Sequence, residues 1–429
     1  MRPVGFLGLS HLGIVSSITL ASRGFDVVAY DPDRSVIEAL ASGNTIVSEP
    51  GLADCLASAQ SRITWTSTPS EIAKCSVVYI AQDVPTDDDG HSDLAATVEL
   101  TNLAIANALP GASIVMHSQV PPGTTRSFCV AAEAKGCAMV YQVETLIFGR
   151  ALERARHPER YIIGLTDASK TIPADLQTVL ESGGCPTLTM RFESAELAKI
   201  AINTMLVSSI QATDTLTEIC ELVGADWREI APSLRLDRRI GEFAYLSPSL
   251  GIGGSNLERD LVTVQELARQ NGRESPALIS TWRTLSDARR DWPSRAIRKR
   301  IKHIDANTRI AILGLAYKRD TGSTRNSPGL RLLEEMRSAG AGVVWHDPIV
   351  QMSDDTEALR VATPQEAIRD ANVIAITTYW PEYEGIAHVI AEDARRDVVV
   401  VDPYGVLAEH TDALGQAHYM TIGRGAVHS

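Results

Sequence analysis

Short apolar runs alternate with stretches of helical spacing along the first part of the chain. Pro3–Leu7, Phe25–Tyr30, Val77–Ala81, Ser113–Met116 and Tyr161–Ile163 carry apolar residues on consecutive positions, the pattern of strands covered on both faces. Leu12–Ser22 and Ala95–Ala108 lie between them and read as helices. Strand and helix in alternation predict a parallel, doubly wound sheet. Near Glu193 the pattern changes: Ala195, Ala198, Ile202, Met205 and Leu206 recur at helical spacing as far as about Val223. More helix follows from Leu257 to about Arg300. The strand pattern restarts at Arg309, with runs at Ile310–Leu313, Val343–His346, Val373–Thr377 and Val398–Val401 and a helix after Pro328. Breaks near Phe192 and Ile304 predict three domains, 1–192, 193–303 and 304–429.

The first strand-to-helix turn reads Gly8-Leu9-Ser10-His11-Leu12-Gly13. Such a turn needs glycine at its first position for backbone geometry and at its last for close helix–strand packing. The helix start then offers N–H donors and a positive dipole end to a pyrophosphate. Asp31, ending the second strand, is placed to accept hydrogen bonds from ribose hydroxyls and to repel a 2′-phosphate, which favours NAD over NADP. Ser10 stands where a third glycine would let the pyrophosphate pass closest, so it weakens binding rather than abolishing it. Gly8, Ser10, His11, Leu12, Gly13 and Asp31 are the expected cofactor contacts. The fold class expected is α/β, with two Rossmann-like doubly wound domains joined by a long central helix and a helical middle domain.

Composition narrows the partners. At 429 residues the chain exceeds what one core serves, and a net charge of −13 argues against a phosphate-backbone binder. The basic run Arg295, Arg298, Lys299, Arg300, Lys302 has the spacing of a solvated helix face. Six cysteines without metal-ligand spacing suggest reduced thiols, no metal and a cytoplasmic setting. The apolar stretch up to Ala21 is better explained by the Gly8–Gly13 turn than by a signal peptide, and no run has the length of a membrane span.

Several further segments follow in order: Glu49-Pro50-Gly51-Leu52; Pro85 through Asp93-Leu94; Ser118-Gln119-Val120-Pro121-Pro122-Gly123-Thr124; Ala195-Glu196-Leu197-Ala198-Lys199 with Asn203. Arg239-Ile240-Gly241, Pro248-Ser249 and Gly251-Ile252-Gly253-Gly254 come next, then Gly314-Leu315-Ala316-Tyr317-Lys318, Thr321, Arg325 and Ser327-Pro328. Together they resemble the UDP-glucose/GDP-mannose dehydrogenase family over nearly the whole chain. The resemblance implies NAD in the N-terminal domain, the nucleotide in the C-terminal domain, the sugar between them, and a homodimer built on the central helix. Typical members oxidise the sugar C6 alcohol twice, to aldehyde and then to acid. By the same resemblance Pro85, Gln119 and Arg325 join the cofactor set. Arg239 (reaching across the dimer), Tyr245, Gly253, Tyr317 and Lys318 become candidate substrate contacts.

The catalytic loop departs from the family. Asn256 stands at the position of the cysteine that forms the thiohemiacetal, and an amide is no nucleophile. Ser255 beside it is an unactivated hydroxyl offset in register. Gln119 replaces a water-positioning threonine, and Glu258 and Arg259 replace proline and lysine before Asp260. Glu144, Lys199, Asn203 and Asp260 are retained. Lys199 and Asn203, at i and i+4, are candidates to stabilise an oxyanion, and Glu144 and Asp260 to hold water or take a proton. Two classes of function remain open. One is an oxidoreductase that takes a hydride from a nucleotide sugar and gives an aldehyde or a redox-neutral product. The other is a catalytically silent nucleotide-binding homologue. An ordinary four-electron dehydrogenase is a further alternative.

Overall fold

The computed structural model describes residues 1–87, 90–254, 256–273, 276–352, 358–393 and 397–425; Ser255 lies outside them. The chain divides into two compact units, Met1–Ile202 and Asn203–Ser429. The first is built on an eight-stranded sheet. Its strands are β1 (Val4–Leu7), β2 (Val27–Tyr30), β3 (Ile63–Thr66), β4 (Val77–Ile80), β5 (Ser113–Met116), β6 (Ala138–Gln142), β7 (Tyr161–Leu165) and β8 (Thr187–Arg191). They lie in the order β3-β2-β1-β4-β5-β6-β7-β8. Pairing is parallel except between β6 and β7, where Tyr141 faces Gly164 in an antiparallel step. The doubly wound reading therefore holds, with one reversal that no local pattern announces.

β1, β2, β4 and β5 are buried at every position, which is why they read as unbroken apolar runs. Edge strand β3 is only partly buried and edge strand β8 is largely exposed; they carry Thr64, Thr66, Thr187, Thr189 and Arg191, so no such run marks them. Helix α1 (His11–Ser22) covers one face of the sheet and buries nine of its residues, among them Ile14, Val15 and Ile18. The opposite face packs Leu100, Ala104 and Ile105 of the Ala95–Asn107 helix against Ile80, Ile114 and Met116.

The second unit holds a six-stranded, wholly parallel sheet in the order β11-β10-β9-β12-β13-β14. These strands are β9 (Arg309–Leu313), β10 (Gly342–His346), β11 (Leu359–Arg360), β12 (Val373–Ile376), β13 (Val399–Val401) and β14 (His418–Met420). The long central helix spans Phe192–Val223. The helical stretch expected from Leu257 to Arg300 is three helices, Asn256–Gln270, Pro276–Arg289 and Trp292–Arg300, interrupted near Gly272 and again at Arg290 and Asp291. In the last, Arg295, Arg298, Lys299 and Arg300 are exposed while Trp292, Ala296 and Ile297 are buried, as a solvated helix face requires. Apolar side chains stand out into solvent on this unit: Leu222, Val223, Leu236 at 85% exposure, Ile240 and Phe243 at 88%. Among the described residues no helix is long and apolar enough to cross a membrane.

Candidate active site

In a parallel sheet, ligands bind beyond the carboxyl ends of the strands, at the point where strand order reverses. In the first unit that point lies between β1 and β4. Gly8 follows β1 with φ of 88°, a left-handed conformation that suits glycine. A β-carbon on Gly13 would lie 1.9 Å from the Gly8 carbonyl oxygen and 3.1 Å from that of Ala81. Both glycines are thus required by the turn, Gly8 for its backbone conformation and Gly13 for the close approach of α1 to the chain leaving β1 and β4. Asp31, ending β2, accepts the Leu9 N–H at 2.8 Å and the Asp33 N–H at 2.9 Å. Ser10 caps α1 by position, but its side chain makes no bond to the helix. Its hydroxyl accepts the Asp83 N–H at 2.7 Å and leans toward the Ala81 carbonyl. The Asp83 carboxylate in turn accepts the Leu12 N–H at 3.3 Å.

His11 opens α1 with Nε2 2.7 Å from the buried Glu49 carboxylate, and its ring packs 4.2 Å from that of Phe148. Glu49 also accepts N–H bonds from Gly149 and Ala151, so one carboxylate joins the glycine turn to the loop after Glu144. The Pro85 carbonyl accepts the Asp93 N–H at 2.9 Å, closing that loop. Gln119 is half-buried after β5, and the segment that follows is held from the central helix. There the Glu196 carboxylate accepts the Gly123 and Thr125 N–H groups at 2.6 and 2.8 Å. Burial raises the Glu196 pKa, and these hydrogen bonds offset only part of the rise. His117 donates through Nδ1 to the Gln142 carbonyl at 3.1 Å, and its burial favours the neutral ring. Lys199 Nζ lies 3.3 Å from Glu144 Oε2, both side chains mostly withdrawn from water. The Leu146 N–H donates to the other Glu144 oxygen, which fixes the carboxylate toward the lysine.

The second unit assembles another group. Asn203 Nδ2 donates to Asp260 Oδ2 at 2.5 Å, and the Arg259 guanidinium lies 3.5 Å from Oδ1, all three side chains buried. The loop before them is anchored from two helices. Asp214 accepts the Ser249 N–H and hydroxyl at 2.8 and 2.6 Å, Ser286 Oγ accepts the Ile252 N–H at 2.7 Å, and Arg290 donates to the Ile252 carbonyl at 2.6 Å. Glu258 then bridges Arg290 at 2.8 Å and Asn326 at 2.5 Å. Gly253 and Gly254 lie against the Tyr317 ring, where a β-carbon would come within 2.7 and 2.9 Å of it. Burial raises the Tyr317 phenol pKa, and Lys318 Nζ sits 5.7 Å from that ring's centre. The Arg325 carbonyl accepts the Gly254 N–H at 3.2 Å. Asn256 is exposed at the first position of its helix. Cys220, the one cysteine in the sequence of this unit, is buried against Trp227 and Leu246.

The structure therefore brings together the turn residues with Asp31, Glu144 with Lys199, Asn203 with Asp260, and Gly253 with Tyr317. Arg239 is largely exposed and pairs with its near neighbour Asp237 at 2.6 Å, while the Tyr245 carbonyl accepts the Thr213 hydroxyl. Asp83, Asp214, Ser286, Arg290 and Asn326 escape a reading of the sequence. Their partners are distant along the chain, and no local spacing marks them. Glu49, Glu196 and Glu258 stand in recognisable segments, but what each of them holds cannot be read from those segments.

Family models match along the chain in order: the NAD binding domain of the UDP-glucose/GDP-mannose dehydrogenase family over residues 2–181, the central domain over 193–287 and the UDP binding domain over 311–409. A UDP-glucose 6-dehydrogenase of Rhizobium meliloti is 28% identical, covering 98% of this chain and 99% of its own. The UDP-glucose 6-dehydrogenase TuaD of Bacillus subtilis is 29% identical over 100% of this chain and 94% of its own. The structure of a UDP-glucose dehydrogenase from Pyrobaculum islandicum superposes with a TM-score of 0.86 at 26% identity, covering 99% and 98% of the two chains. With the glycine turn, the acidic residue after β2 and three domain models in one order, the chain belongs to the UDP-glucose/GDP-mannose dehydrogenase family, NAD-dependent oxidoreductases of nucleotide sugars.

Proposed function

We propose that this protein oxidises a UDP-sugar at its C6 alcohol by two electrons and does not carry the aldehyde on to the acid. The observation that carries the reading is Asn256, exposed at the start of its helix where the family's nucleophile is expected, with Cys220 buried elsewhere. Bound NAD supplies the hydride acceptor. Lys199 stabilises the developing C6 alkoxide, supported by Asn203, while Glu144 or Asp260 takes the hydroxyl proton. The Lys199–Glu144 ion pair, mostly withdrawn from water, and the buried Asn203–Asp260 hydrogen bond limit reorganisation during the step. Gly253, Tyr317 and Lys318 are assigned to the nucleotide sugar, and Gln119 and Arg325 to the cofactor side. An amide forms no covalent adduct with the aldehyde, so the second oxidation would depend on water alone.

The test is to quantify NADH against sugar consumed over a panel of UDP-sugars and to identify the product by mass spectrometry. One NADH per sugar, with the C6 aldehyde as product, is expected. Two NADH per sugar with a uronic acid product would overturn the reading.

We further propose a homodimer, because Leu236, Ile240 and Phe243 form an apolar segment that a lone chain would leave in water.

A further inference from the structure

The start of α1 is already in contact with an anion. Asp83 Oδ2 accepts the Leu12 N–H at 3.3 Å, within the first turn of a twelve-residue helix. The backbone of Asp83 is pinned there by the Ser10 hydroxyl at 2.7 Å. Among the described residues the Asp83 carboxylate has no ion-pair partner, and the residue is exposed, so its side chain is free to swing outward. A dinucleotide's diphosphate needs the N–H groups and the positive dipole end at this same place. Two anions cannot share it without strong repulsion.

We propose that Asp83 is a resident competitor for the cofactor's diphosphate, set in place by Ser10 and displaced each time NAD binds. The residue thereby determines cofactor affinity: binding must break the Leu12 contact and move a carboxylate out of the helix field. Ser10 has a second role under this reading, since it orients the competitor as well as narrowing the turn.

The test is calorimetric titration of the full chain, wild type beside Asp83→Asn and Asp83→Ala, with NAD and separately with adenosine, which has the base and ribose but no phosphate. Losing an exposed helix-terminus carboxylate contact predicts about two- to fivefold tighter NAD binding in both variants. Adenosine should bind equally to all three proteins, and added salt should narrow the NAD difference. Unchanged or weaker NAD binding in both variants would overturn the proposal and make Asp83 a spectator or a ligand contact. An equal gain for adenosine would also overturn it, since the diphosphate would then not be the cause. Absence of NAD binding by all three would overturn the cofactor's placement on this turn, and the proposal with it. Matching thermal melting curves for the three proteins guard against a folding artefact.

Discussion

Two aspartates end the second strand of the two sheets, and what already touches each decides the chemistry left to it. Asp347 is buried and accepts four backbone N–H groups, from Leu315, Ala316, Ile349 and Val350. It is a structural brace with no capacity to spare. Asp31 accepts two and stays partly open, which leaves lone pairs for ribose hydroxyls. Asp31→Ala should therefore weaken NAD binding about tenfold or more, the scale of hydrogen bonds to a charged group. Asp31→Asn separates the contributions: it keeps an acceptor for Leu9 but loses the charge, so the wild type's preference for NAD over NADP should shrink in calorimetry. Equal wild-type affinity for the two cofactors would contradict this account. Gly13→Ala forces a β-carbon onto the Gly8 carbonyl, and a melting experiment should show a loss of about 1–3 kcal/mol, typical of overpacking, together with lost NAD binding. Gly8, Gly13 and Asp31 are legible in the sequence because one short turn fixes their jobs. Asp83 is not, because its meaning depends on β4 ending beside β1, a fact of sheet order rather than of local sequence.

Burial makes most elements legible, though not β6, which is buried at four of its five positions and is absent from the strands that the apolar pattern picks out. Strands β1, β2, β4 and β5 announce themselves as apolar runs, whereas β3 and β8 are edge strands whose partly or fully exposed positions carry polar residues that erase the signal. The antiparallel step from β6 to β7 depends on how the chain returns, which residue types do not encode. The loop at 249–254 shows the same limit, since its glycines are visible in the sequence but its anchors are not. Asp214, the anchor from the central helix, has its pKa pushed up to about 6 by burial, against hydrogen bonds from Ser249 and the nearby Arg289 charge. A carboxyl with a folded-state pKa raised above its ordinary 3.8 contributes stability that is complete below about pH 4 and lost as pH rises through 6. For this buried group the rise corresponds to about 3 kcal/mol. Urea unfolding between pH 4 and 7 should show this slope in the wild type, flattened in Asp214→Asn. An identical pH dependence in both proteins would exclude Asp214 as its source.

For the whole molecule, the proposed homodimer turns on whether the second unit's apolar segment is covered. Leu236, Ile240 and Phe243 bracket Arg239, whose only described ion pair is with the neighbouring Asp237. If a second chain covers this segment, light scattering at micromolar concentration should report a dimer, and Phe243→Asp should shift it toward monomer. Arg239 would then be ordered by the partner and serve its site. The consequence is genetic as much as structural. Chains carrying Lys199→Ala and chains carrying Arg239→Ala would each be inactive alone. After unfolding and refolding together they would pair at random, and half of the dimers would be mixed. Each mixed dimer would hold one site with both residues intact, restoring about a quarter of wild-type activity. Two defective alleles of this protein would thus complement each other.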